Sequence, residues 1–70
     1  MDWCKILGEN VRSSRLQAAL TQEELAGDAK IDVTYLRGIE AGRRNPSLRV
    51  IGRLSVALAT TPATLVSKPN

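Results

Sequence analysis

The chain has 70 residues, of which 43% are apolar, and a formal net charge of +3. This length holds one small domain, and the apolar fraction is high enough for a packed core. The chain has no His and one Cys, so we expect no catalytic or metal centre, no cofactor and no disulfide. No apolar run approaches the ~20 residues of a membrane span, so we expect no membrane insertion. These features predict a cytoplasmic protein.

The first predicted helix runs from about Trp3 to Ala18, with Asp2 as its N-cap. At ~100° per residue, its buried face is predicted to comprise Leu7, Val11, Ser14 and Ala18. We expect Trp3 to cover one end of the core; the alternative is a place in an interface.

The second and third predicted helices form a helix-turn-helix over about residues 21–41. Thr21 and Glu24 make a capping box that starts the second helix, and Asp32 caps the third, about residues 32–41. Their inward positions are predicted to be Leu25, Ala26, Ala29, Leu36 and Ile39. In this motif the first helix supports the second, which lies in the major groove of DNA.

A loop over residues 43–46 precedes a fourth helix, about Leu48 to Ala59, which Ser47 caps. Its buried stripe is predicted to comprise Leu48, Ile51, Leu54 and Leu58. Thr61 and Pro62 begin a short fifth helix, and residues 67–70 form a tail. Because no segment alternates with the period of a strand, these elements predict an all-α fold.

Positive charge is concentrated around the third helix and the loop behind it. Residues 33–53 contain five arginines against the single carboxylate of Glu40, a local net charge of +4. The planar guanidinium suits phosphate and guanine better than an ammonium group does. An arginine cluster alone fits a solvated surface equally well, but its position beside a DNA-reading helix favours nucleic-acid binding.

From Leu7 to about Leu65 the chain resembles the XRE family, the Cro- and phage-repressor-type helix-turn-helix proteins. The resemblance rests on the order and spacing of LGENVRSSR, LTQEELA, DVTYLRGIEAGRRNPSL and the segment of the fourth and fifth helices. The segment DVTYLRGIE also resembles the small controller proteins of restriction–modification systems. The resemblance implies a single five-helix lambda-repressor-like domain over residues 1–70 that binds operator DNA.

The resemblance also implies roles for particular positions. Base-contacting positions correspond to Val33, Thr34, Arg37 and Gly38. Phosphate-contacting positions correspond to Thr21, Gln22, Tyr35, Arg43, Arg44 and Asn45. Arg15 and Glu40 correspond to a structural ion pair that holds the third helix at its angle.

Some of these roles have alternatives. Arg37 suits a bidentate guanine contact, and the alternative is a phosphate contact. Gln22 can instead be a simple surface helix start, and Arg44 can reach a base or the minor groove instead of a phosphate. Gly38 offers clearance for the backbone or Arg37 to approach DNA, or is a tolerated small residue.

Ala19, Lys30 and Ala59 stand where the family often has glycine in a left-handed turn. A non-glycine residue in that conformation costs ~1–2 kcal/mol, so either the turns are built differently or the domain is less stable. We also expect a homodimer, because two half-sites ~34 Å apart give affinity and register that one cannot. Its interface is predicted to include Val56, Leu65 and Val66.

The leading hypothesis is a sequence-specific transcriptional regulator that binds double-stranded DNA as a homodimer on a palindromic operator. It would repress, activate or do both, in the nucleoid of a bacterium or on phage DNA. The alternative is an antitoxin-type protein-interaction module, in which the apolar surface masks a toxin and DNA binding is secondary. An enzyme is not predicted.

Overall fold

The computed structural model describes residues 1–68, and over that range the chain forms five α-helices and no strand. The helices are α1 (Trp3–Gln17), α2 (Gln22–Ala29), α3 (Val33–Glu40), α4 (Leu48–Ala57) and α5 (Pro62–Leu65). The predicted all-α, five-helix fold is confirmed; residues 69 and 70 of the predicted tail lie outside the described residues. Within residues 1–68, no helix combines the length and apolar character needed to cross a bilayer.

Local side-chain caps start all five helices. The predicted caps of α1, α3, α4 and α5 are confirmed as Asp2, Asp32, Ser47 and Thr61. The capping box of α2 is also present, with the Thr21 hydroxyl accepting from Glu24 N at 3.0 Å and Glu24 accepting from Thr21 N at 2.9 Å. Because the backbone N–H of Thr21 donates to it, the pKa of the Glu24 carboxyl lies below its ordinary value.

The core lies where α1, the α2–α3 pair and the α4–α5 pair meet. Its fully buried side chains are Val11, Leu25, Leu36, Ile39, Leu54 and Leu65. The predicted inward faces of α2 and α3 are confirmed, as is the burial of Leu7, Val11, Leu54 and Leu58. α5 closes one end, where the side-chain amide of Asn10 on α1 donates to the Leu65 carbonyl at 2.8 Å.

Three predictions of core residues are wrong. Leu48 is 75% exposed and Trp3 is 57% exposed, because each is the first residue of its helix and lies beyond the end of the core. Ala18 is exposed because α1 ends at Gln17, one residue earlier than predicted. On α4 the buried face instead includes Ser55, whose hydroxyl donates to the Gly52 carbonyl at 2.7 Å.

The turns after α1, α2 and α4 contain left-handed residues that are not glycine. Ala19, Lys30 and Ala59 have φ angles of 57°, 58° and 55°. In each turn the next residue donates its backbone N–H across the left-handed residue to a carbonyl in the helix, as Ile31 does to Ala26 at 3.0 Å. Of the two alternatives, the turns are therefore built in the left-handed way, with the backbone strain that this conformation imposes on a side chain.

Lys30→Gly is expected to raise the melting temperature by a few degrees, because glycine removes a left-handed penalty of about 1 kcal/mol. Thermal unfolding followed by circular dichroism measures the shift. Lys30→Ala is the matched control, since it removes the same side chain, which is exposed, but keeps the Cβ. An equal rise in both variants would assign the gain to the lost side chain rather than to the backbone.

Candidate nucleic-acid interface

α3 is held from behind and presents a narrow outer face. Leu36 and Ile39 are fully buried against α1 and α2, whereas Thr34 and Arg37 are exposed. Val33 and Tyr35 are half-buried and pack against the core. The rigid support fixes the direction of α3, and among the predicted base-contacting residues only Thr34 and Arg37 are exposed.

The back of α3 is tied to α1 by an ion pair between Arg15 and Glu40. The Arg15 Nε atom lies 2.7 Å from Glu40 Oε2, and Nη2 lies 3.1 Å from Oε1. A further Arg15 nitrogen donates to the Leu20 carbonyl at 2.9 Å, in the turn before α2. The two side chains are 10% and 4% exposed, and the hydrogen bonds to Glu40 raise the pKa of Arg15 above its ordinary value.

Gln22 connects this buried pair to the surface. Its side-chain nitrogen donates to Glu40 Oε1 at 3.2 Å, and its side-chain oxygen accepts from Arg37 Nε at 3.3 Å. Arg37 Nη2 also lies 3.3 Å from the carboxylate of Glu23. The Gln22 side chain therefore forms a hydrogen bond through both its nitrogen and its oxygen. The Arg37 side chain, which projects from α3, is bound to the first turn of α2.

Gly38 lies beneath a side chain from the loop that follows α3. Gly38 is buried, and a Cβ built on it would lie 2.7 Å from Cγ of Arg44. The Arg44 guanidinium continues over the ring of Tyr35, 5.6 Å from its centroid. The space over Gly38 is thus occupied by Arg44 in the unbound protein, and the base-facing role of Gly38 stays a prediction.

The remaining predicted phosphate contacts surround α3. Arg43 and Asn45 are exposed in the loop, which turns at Gly42 with a φ of 76°. Asn45 also borders a cleft between α1 and α4. Thr21 is exposed at the start of α2.

The predicted dimer residues do not form one surface. Leu65 is fully buried in the core of the protomer, so its predicted place in an interface is wrong. Val56 is 80% exposed beside a groove between α2 and α4, which Asp28 and Arg53 also line. Val66 is 41% exposed and borders the cleft that holds Trp3.

Sequence reasoning missed two residues of this region, Glu23 and Gly8. Glu23 pairs with Arg37 across two helices, and no spacing within one helix signals such a contact. Gly8 on α1 faces the last turn of α3, where a Cβ would lie 2.8 Å from the Glu40 carbonyl oxygen. Its place in the segment LGENVRSSR, which carries part of the resemblance, is the available sequence signal for this residue.

Comparisons with known proteins agree on one kind of domain. A family profile described as a helix-turn-helix domain matches residues 6–66. The uncharacterized HTH-type transcriptional regulator y4dJ of Sinorhizobium fredii is 36% identical over 96% of this chain and 87% of its own length. A crystal structure of the hypothetical transcription factor NHTF from Neisseria has a TM-score of 0.93 at 32% identity, over 97% of this chain and 78% of that one.

A second solved structure is similar to this chain over most of both lengths. The restriction–modification controller protein C.AhdI from Aeromonas hydrophila superposes with a TM-score of 0.86 at 37% identity. The match covers 89% of this chain and 94% of that protein.

Proposed function

We infer the function from the family, since this chain belongs to the XRE-type helix-turn-helix transcriptional regulators, which bind DNA and are not enzymes. We propose that the protein binds a short palindromic operator as a homodimer, with α3 in the major groove. It regulates transcription by repression, activation or both, according to where the operator lies. Its site of action is the cytoplasmic DNA of a bacterium or phage.

The exposed position of Arg37 on a rigidly backed α3 carries this proposal. Its guanidinium and the Thr34 hydroxyl can reach base edges, and guanine O6 and N7 accept two N–H donors from one arginine. Arg43 and Arg44 lie in the loop beside it, where their positive charges can neutralise phosphates of the DNA backbone. The side chain of Gln22 and the exposed Thr21 begin α2, where backbone N–H groups also favour an anion.

The sparse outer face of α3 supports a dimer. With only Thr34 and Arg37 exposed among the predicted base-contacting residues, one subunit reads few bases, so specificity has to come from two half-sites and from DNA shape. Val66 and Trp3 are exposed apolar residues that border one cleft, and we place the second copy there. Ile51 of α4 lines that cleft, and Val56 lies five residues further along α4, about 140° round the helix from Ile51. The proposed interface therefore does not include Val56.

Binding across a series of salt concentrations tests the function. An operator selected from random DNA should bind ~10³-fold or more tighter than a random duplex of equal length. The affinity should fall with salt, with a log–log slope of ~0.9 per neutralised phosphate. The selected sequence also reports whether the operator is palindromic, and sedimentation of the free protein reports whether it is a dimer. Binding that is independent of salt would contradict the function.

Arg37→Ala and Gln22→Ala should weaken binding in different ways. Arg37→Ala is expected to relax preference at one operator position, at a cost of ~1–3 kcal/mol, because one base contact is lost. Gln22→Ala should weaken binding to all sequences, since a phosphate contact carries no sequence information. A smaller loss of preference at the position read by Arg37 should accompany it, because Gln22 accepts from Arg37 Nε. Fluorescence anisotropy with single-base operator variants separates the two results. Equal losses for every sequence in Arg37→Ala would make Arg37 a phosphate contact instead.

A further inference from the structure

Glu23 is an acidic side chain in contact with the main base-reading candidate of α3. Its Oε1 atom lies 3.3 Å from Arg37 Nη2, and the two side chains are 65% and 51% exposed. Exposed ion pairs contribute little to folding, so stability does not account for this contact. The contact instead affects the orientation of the Arg37 guanidinium and places a negative charge beside it.

The pair restrains one edge of the guanidinium. Gln22 accepts from Nε and Glu23 accepts from Nη2, so both acceptors lie along the Nε–Nη2 edge. No acceptor among residues 1–68 contacts Arg37 at Nη1, and the Nη1–Nη2 end of the fork remains available. Because the Nε–Nη2 edge is occupied, this end supplies the two parallel N–H donors which guanine O6 and N7 accept.

The charge of Glu23 acts in the same direction. A carboxylate beside Arg37 is repelled by a phosphate that approaches the same guanidinium, whereas a guanine edge carries no net charge. The repulsion is therefore larger for backbone contacts, which are the same in every sequence, than for a base contact.

We propose that Glu23 is a specificity-determining positioning residue, which holds Arg37 by its Nε–Nη2 edge and directs the opposite end to a guanine. It lowers binding to DNA of unrelated sequence more than it lowers binding to the operator. The inference rests on the proposed function, because it takes Arg37 to read a base.

Glu23→Gln tests the proposal, because it keeps the shape of the side chain and removes its charge. Anisotropy at one salt concentration would compare the selected operator with a random duplex. We expect random-duplex affinity to rise about fivefold and operator affinity to change less than twofold, so that the specificity ratio falls at least about twofold. The preference for guanine at the position read by Arg37 should fall with it.

Two further variants isolate the mechanism. Asp28→Asn removes the same charge from the same helix, about 140° away from Glu23, and should leave the specificity ratio unchanged. In an Arg37→Ala background, Glu23→Gln should no longer alter the ratio, because the side chain it positions is gone. Equal effects of Glu23→Gln and Asp28→Asn on the specificity ratio would overturn the proposal, as would an effect that survives Arg37→Ala. Either result would mean that the loss of negative charge alone explains the change in binding.

The wild-type protein reports separately on the proposed function. A wild-type protein that prefers no operator over random DNA contradicts the function, and this proposal with it. A wild-type preference that Glu23→Gln leaves intact contradicts the positioning role alone.

Discussion

Gly8→Ala is expected to destabilise the protein by about 3 kcal/mol, because α1 crosses α3 at this residue without room for a side chain. A Cβ on Gly8 would overlap the Ile39 carbonyl oxygen and lie 2.8 Å from that of Glu40. Both are backbone atoms of α3, so no side-chain rotation relieves the overlap and the two helices have to separate. Against the ~4–10 kcal/mol typical of this chain length, the loss should be visible in urea unfolding followed by circular dichroism.

Gly52→Ala on α4 is the matched control. A Cβ there meets no atom within 4 Å, so the substitution adds helix propensity of ~1 kcal/mol without a clash. Gly27→Ala on α2 has the same open surroundings and the same expected sign. If Gly8→Ala were as well tolerated as these two, α1 and α3 could not be in the close contact described above.

Helix starts were predictable from sequence because a cap is a local interaction. Asp32 and Ser47 bind N–H groups two or three residues ahead, and the same is true of the box formed by Thr21 and Glu24. Helix ends were less predictable: α4 ends at Ala57, two residues before the predicted Ala59. Alanine favours helices, so its presence in a turn gives no signal to stop. The lambda-repressor-like arrangement of the five helices is confirmed by the solved structures.

Helical periodicity identified inward faces but not the extent of the core along each axis. The interior of α3 was assigned correctly from the spacing of Leu36 and Ile39. The same reasoning placed Leu48 inside, although α4 extends past the packed region at this residue. The angle of a side chain round a helix follows from sequence spacing, but the place where a neighbouring helix ends does not.

The site shows the same division between local and tertiary information. The resemblance pointed to the pair of Arg15 and Glu40 and, separately, to Gln22. The hydrogen bonds that join Gln22 to both Glu40 and Arg37 depend on the angle between α2 and α3. The position of Arg44 over Gly38 depends likewise on the path of a loop, and neither is encoded in a spacing along one helix.

Glu40→Ala is expected to be the most damaging change to the ion pair, with a loss of ~3–5 kcal/mol, because it leaves a buried guanidinium unpaired. The Arg15 side chain is nine-tenths buried, and two of its nitrogens donate hydrogen bonds to the Glu40 carboxylate. Gln22 loses its Glu40 contact as well, so the support of Arg37 weakens. Urea unfolding measures the stability, and operator binding at low temperature measures the positioning of α3 in molecules that remain folded.

The double variant Arg15→Met/Glu40→Leu separates the two consequences. Apolar replacement of both partners removes the buried charge, so most of the lost stability should return, as it often does when a buried pair is replaced whole. Operator affinity should stay reduced even so, because neither new side chain can accept from Gln22. Recovery of affinity together with stability would show that the ion pair only maintains the fold. Persistent weak binding in a stable protein would show that Glu40, through Gln22, also orients the residues that contact DNA.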